Sequence, residues 1–114
     1  MQSLVILGTG GTIAGTATDP ADLVGYRAGL IGVAQLVAAA PSLAGQAIEC
    51  EQVAQIDSKD MDVDVWRALA GRSAFHLARP DVQAVLVTHG TDTLEETAYL
   101  LQRVLAPRKP LVLT

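Results

Sequence analysis

Apolar runs and polar turns alternate along this chain. Leu4-Val5-Ile6-Leu7 is a short, continuous and partly β-branched apolar run that stops at Gly8, which predicts a buried strand. Residues 8–15, Gly-Thr-Gly-Gly-Thr-Ile-Ala-Gly, make a glycine-rich turn, and residues 16–28, small, polar and without a period, predict a loop. Leu30, Val33, Ala34 and Val37 recur at helical spacing until Pro41 stops the pattern. A second strand is predicted over Ile48–Ile56, followed by the turn Asp57-Ser58-Lys59-Asp60-Met61. Val65, Trp66, Leu69, Ala70, Ala74, Leu77 and Ala78 then mark one face of a helix that Pro80 ends, with Asp62 or Asp64 as its N-cap. Val82–Thr88 is the clearest buried strand, and His89-Gly90-Thr91-Asp92 is its turn. Thr93 with Glu96 predicts a capping box, and Leu94, Ala98, Leu101 and Leu105 form the stripe of the next helix. Pro107 to Pro110 break it, and Leu111-Val112-Leu113-Thr114 opens another strand.

Strands separated by helices imply βα units, hence a parallel sheet with right-handed crossovers. The expected fold is therefore α/β, a doubly wound parallel sheet of the flavodoxin-like or Rossmann-like kind, with residues 1–114 as one domain. Because the last apolar strand is followed by neither turn nor helix, the expectation is an N-terminal domain incomplete at its C-terminus. There is no internal repeat, low-complexity tract or interdomain linker.

Composition narrows the function. Half of the 114 residues are apolar and 18% are charged, which excludes a disordered chain. The mean hydropathy of +0.34 is high, yet no apolar run reaches the ~18 residues a membrane helix needs. Met1-Gln2-Ser3 lacks the basic start of a signal peptide, so the expected compartment is the cytosol. One cysteine, Cys50, supports neither an internal disulfide nor a cysteine zinc site. A net charge of −4 with scattered basic residues argues against a nucleic-acid partner.

In a parallel sheet all strands end on one edge, where ligands bind. Three predicted strands run into polar turns, at residues 8–15, 57–61 and 89–92, so topology gathers Thr12, Ser58, Thr91 and Asp92 at that edge. Hydroxyls and a carboxylate beside exposed backbone N–H groups suit acyl transfer: a hydroxyl attacks a carbonyl carbon and fixed N–H donors hold the oxyanion. The first loop fails as a phosphate motif, since a dinucleotide fingerprint from Gly8 would need glycine where Ile13 stands and no Gly-Lys-Ser/Thr triplet follows. Asp60, Asp62 and Asp64 imitate a calcium loop, but Val65 and Gly71 occupy its glycine and last-ligand positions, so they read as solvated turn and helix-start acids. His89 is expected to be a structural hydrogen-bonder and His76 a surface residue, with Trp66 and Cys50 in the core. Tyr26, between Gly25 and Gly29, could ride a lid over the edge.

Together these pieces resemble the bacterial-type L-asparaginase family of asparaginase/glutaminase amidohydrolases. Thr9-Gly10-Gly11-Thr12-Ile13-Ala14-Gly15 is similar to the family's first active-site motif and His89-Gly90-Thr91-Asp92-Thr93-Leu94-Glu95-Glu96-Thr97-Ala98 to its second. Asp57-Ser58-Lys59-Asp60-Met61 looks like the substrate-carboxylate loop between them. The resemblance implies hydrolysis of L-asparagine to L-aspartate and ammonia through a threonine acyl-enzyme, without metal or cofactor, and with L-glutamine as a second candidate substrate. It implies Thr12 as nucleophile, helped by Tyr26, and Thr91 as the second threonine, orienting water or completing a proton relay. Asp92 would hold the α-amino group and Ser58 the α-carboxylate, with Gly11 and Lys59 beside them in the binding loops. Lys59 stands where many family members carry glutamine, which bears on the choice between asparagine and glutamine.

The family's relay also uses a lysine past the second threonine, which would fall beyond Thr114. Family members complete each site with residues from a neighbouring subunit's C-terminal domain, in a homotetramer. The isolated chain is thus expected to show little activity. The competing reading is a non-catalytic α/β module that binds a small amino acid, and a nucleotide-binding domain is disfavoured by the motif failures above.

Overall fold

The computed structural model describes residues 2–11, 16–17, 26–27 and 32–114, with backbone alone at 16–17 and 26–27. Its centre is β1 (Ser3–Gly10), which pairs in parallel with β4 (Ile48–Ile56) on one side and β5 (Val82–Thr88) on the other. β6 (Leu111–Leu113) pairs in parallel with β5, so the strand order is β4-β1-β5-β6. Along this ladder Val5 stands opposite Glu49 and Val85, and Gly8 opposite Gln52 and Thr88. This is the parallel α/β sheet expected from the alternation of apolar runs and helical stripes.

Alternation along the strands divides the sheet into two faces. Val5, Leu7, Val85 and Val87 join Leu69 of α2 (Val63–Leu77) and Leu101 of α3 (Leu94–Leu105) in one buried core. Burying each such side chain stabilises the fold by roughly 1.5–3 kcal/mol. On the opposite face Ile6, Leu86 and Thr88 line an apolar groove of about 190 Å³ with Val33, Leu36 and Val37 of α1 (Val33–Ala38). The glycine N-cap of α1 offers no side-chain acceptor; instead Gln52 Oε1 of β4 accepts the Val33 N–H at 2.7 Å.

Several expectations need correction. β1 runs to Gly10, beyond the predicted stop at Gly8, because β4 continues the ladder past that point, with Gly10 opposite Ile56, while the β5 ladder ends at Gly8. The segment expected to be a featureless loop holds a two-rung antiparallel ladder, β2 (Thr16–Ala17) with β3 (Tyr26–Arg27). Leu30, the first residue of the predicted helical stripe, lies outside the described residues. Of the two expected N-caps, Asp62 is the one that caps α2, its Oδ1 accepting from Val65 N–H at 2.9 Å, so that expectation holds. The capping box at Thr93 and Glu96 does not form: Thr93 makes no cap bond, and its hydroxyl instead points to and donates to the Ser58 carbonyl at 2.9 Å.

His76 is the largest departure. Expected at the surface, it is 1% exposed, on the α2 side that faces β4. Its Nδ1 lies 3.0 Å from Arg79 Nη1 and its Nε2 3.5 Å from Glu51 Oε1. The apolar stripe of α2 alone could not reveal this, because Glu51 comes from β4 and Arg79 lies just past the end of the helix. Trp66 and Cys50 are only half-buried rather than core residues, and burial pushes the Cys50 thiol pKa up.

Candidate active site

At the carboxyl edge of the sheet the loops after β1, β4 and β5 meet. Gly11 follows β1 with φ +86°, a conformation that side-chain-bearing residues rarely adopt, and its N–H donates to the Ile56 carbonyl at 2.9 Å. A Cβ on Gly11 would come within 2.6 Å of Gly90 Cα, and one on Gly90 within 2.7 Å of Ser58 Cβ. The loops after β1 and β5 therefore touch backbone to backbone, the Ser58 side chain packs against Gly90, and glycine is required at both contacts.

Ser58 sits at the junction. It opens a single 3₁₀ turn, Ser58–Asp60, whose start is capped by Asp57 through Lys59 N–H at 3.1 Å. Its side chain is buried, its Oγ accepts the Asp92 N–H at 3.0 Å, and its carbonyl accepts from Thr93 Oγ1. Since the Asp92 bond uses the oxygen as acceptor, the hydroxyl proton of Ser58 is left to donate to a bound anion. Thr91 and Asp92 are both exposed, just ahead of α3. The start of that helix contributes partial positive charge, which favours an anionic group nearby.

The β5 end is tied down from below. Thr9 Oγ1 donates to the Thr88 carbonyl at 2.6 Å, and His89 N–H donates to the Thr114 carbonyl at 2.8 Å. His89 is 3% exposed. Its Nδ1 lies 2.6 Å from the Gly90 carbonyl and its Nε2 2.8 Å from Thr97 Oγ1, which also accepts the Trp66 indole N–H at 2.8 Å. His89 is thus a structural hydrogen-bonder, as expected.

The structure brings together Gly11, Ser58 and the Thr91–Asp92 turn. It does not bring in Lys59, whose ammonium is exposed and 3.8 Å from Asp60 Oδ1. Thr12 and the Tyr26 side chain lie outside the described residues; the backbone of Tyr26 pairs with Ala17. Among the described residues no group of three His, Cys, Asp or Glu side chains is placed to hold a metal ion. Also among them, no helix is long and apolar enough to cross a membrane.

Sequence reading missed Thr97 and Trp66. The available signal was the indole N–H, which finds an acceptor when it is even partly buried. Thr97, four residues after Thr93 on the inner face of α3, was the hydroxyl within reach.

Three comparisons bear on this arrangement. The family described as "Asparaginase, N-terminal" matches residues 3–114. L-asparaginase 2 of Bacillus subtilis is 40% identical over 114 residues, covering 99% of this chain and 30% of its own length. A probable periplasmic L-asparaginase of Haemophilus influenzae is 39% identical, over 99% of this chain and 32% of its own. The crystal structure of a probable cytoplasmic L-asparaginase from Campylobacter jejuni superimposes with a TM-score of 0.90 at 42% identity, covering 99% of this chain and 35% of that one. The chain thus spans about a third of the length of the relatives it matches.

Proposed function

This chain belongs to the asparaginase family, through that family's N-terminal domain, and we propose that it carries the nucleophile and substrate loops of an L-asparaginase. The supporting observation is the convergence of Gly11, Ser58 and the Thr91–Asp92 turn at one sheet edge, joined by the Asp92–Ser58 hydrogen bond.

In this reading Thr12, one residue past Gly11, attacks the side-chain amide carbon of L-asparagine. The new C–O bond forms as the C–N bond breaks, the nitrogen takes a proton, and ammonia leaves. Water then attacks the resulting ester, freeing L-aspartate and restoring the Thr12 hydroxyl. Tyr26 assists Thr12, and Thr91 orients the water or relays the proton. Ser58, its hydroxyl proton free, binds the α-carboxylate, and Asp92 binds the α-ammonium. These two opposite charges on the substrate are met by a donor and an acceptor on adjacent loops. Gly11 completes the binding loops, and Lys59, beside Ser58 in sequence with its ammonium turned outward, bears on the preference between asparagine and glutamine.

A threonine hydroxyl is nearly inert without a base, and the family's relay lysine lies outside the matched stretch. Turnover by this chain alone is therefore low, and the whole enzyme is a homotetramer. Relatives carry both cytoplasmic and periplasmic names, so the family leaves the compartment open.

The test pairs L-aspartate titration, followed by backbone amide shifts, with ammonia release from L-asparagine. Aspartate is expected to move the amides of Gly11, Ser58 and Asp92, and Ser58→Ala to abolish the response. In a chain extended by the remaining family sequence, Thr12→Ala is expected to remove ammonia release while aspartate still binds. Release that survives Thr12→Ala would overturn the mechanism. Binding without any release would leave an amino-acid-binding module.

A further inference from the structure

The buried hydrogen-bond chain behind the β5 turn has a polarity that its two ends decide. An indole N–H only donates and a carbonyl oxygen only accepts. Trp66 Nε1–H donates to Thr97 Oγ1 at 2.8 Å, so the Thr97 hydroxyl has its own proton to give to His89 Nε2, 2.8 Å away. At the other end His89 Nδ1 faces the Gly90 carbonyl at 2.6 Å, which requires the ring proton on Nδ1. For a neutral ring one arrangement satisfies all four groups: indole to hydroxyl, hydroxyl to Nε2, Nδ1 to carbonyl.

We propose that His89, held as its Nδ1–H tautomer by Thr97 and Trp66, is a positioning residue that sets the Gly90–Thr91 peptide and so presents Thr91 and Asp92. The inference rests on the asparaginase reading for what those two residues do. His89 acts through others, because its ring is buried and both nitrogens are engaged within the protein. The Gly90 carbonyl it grips belongs to the residue packed against Gly11 and Ser58. Two residues further on, the Asp92 N–H closes on Ser58 Oγ. The chain therefore clips the substrate turn to α2 and α3, whose own positions the apolar core determines.

The test is long-range ¹H–¹⁵N NMR of the histidine rings in the labelled 114-residue chain. His76, whose Nδ1 faces the Arg79 guanidinium and must accept, serves as the opposite tautomer in the same spectrum. His89 is expected to show a protonated Nδ1 and a bare Nε2. Thr97→Val, of the same shape but without the hydroxyl, is expected to disturb that tautomer and move the Thr91 and Asp92 amides. It should weaken L-aspartate binding about tenfold, the scale of one positioning hydrogen bond, and Thr97→Ser should restore all three. Should Thr97→Val fail to fold, Trp66→Phe carries the same comparison. A wild-type ring protonated on Nε2, or amide changes confined to α3, overturns the proposal. The tautomer and the amide shifts need no ligand, so absent aspartate binding with both as expected would count against the asparaginase reading alone.

Discussion

Gly90 shows how a single residue can hold a site together. Its missing side chain lets the β5 turn lie against both Gly11 and Ser58, and a Cβ there would overlap Ser58 and crowd Gly11 Cα at 3.2 Å. Ser58 cannot retreat easily, since its Oγ, its carbonyl and the turn it opens are all engaged. Gly90→Ala is therefore expected to cost about 1–3 kcal/mol, as overpacking does, measured by urea denaturation. It should also shift the amides of Ser58 and Asp92 in an ¹H–¹⁵N spectrum. A variant with wild-type stability and unmoved amides would show that the loops are not in contact. The motifs Gly10-Gly11-Thr12 and His89-Gly90-Thr91-Asp92 were visible in the sequence. That their glycines touch was not, because 79 positions separate Gly11 from Gly90 and only the sheet brings them together.

At the scale of elements, each helix begins differently, and the difference is instructive. α2 is capped locally by Asp62, three residues before the N–H it accepts. A signal of that range is readable from sequence. Asp62→Ala is expected to lower stability by about 1 kcal/mol, seen as a reduced urea midpoint with an unchanged slope. The start of α1 is met instead by Gln52 from β4, and Thr93 at the start of α3 turns away to Ser58. Both depend on a neighbouring strand or loop, so the local rule that predicted a capping box at Thr93 and Glu96 failed there. Aimed at the Ser58 carbonyl, the Thr93 hydroxyl does not accept from the backbone N–H groups of its own helix.

At the scale of the molecule, a charged lattice ties β4 to α2 and to the start of β5. Arg72 donates two bonds to Glu51, at 2.8 and 2.7 Å, and its guanidinium lies 4.5 Å over the Phe75 ring. Arg79 reaches both Glu49 and Asp81. The Arg72 guanidinium holds the Glu51 carboxyl below the usual carboxylate range, and Arg79 does the same for Asp81. A carboxylate whose folded-state pKa is depressed adds stability that is present above its unfolded pKa and disappears as pH falls through the folded value. The melting temperature is thus expected to fall as pH drops below about 4.5, through the carboxylate range. The fall should be smaller in Glu51→Gln, which has no such proton to take up. Equal acid slopes for the two proteins would remove Glu51 from the account.

By itself the sequence determined what repeats at short range. The apolar runs and helical stripes specified parallel βα units, since burial of a strand on both faces and of a helix on one leaves a periodic trace. The same units implied that the turns after β1, β4 and β5 share one edge, and the two glycine-threonine motifs pointed to the family. Tertiary structure alone decided which groups meet across that edge. It placed His76 in the interior against Glu51 and Arg79, gave Thr93 to Ser58 rather than to its own helix, and linked Trp66, Thr97 and His89 in one chain. Each of these joins residues from different elements, and the energy of a buried polar group depends on the partner it finds there, not on its neighbours in sequence.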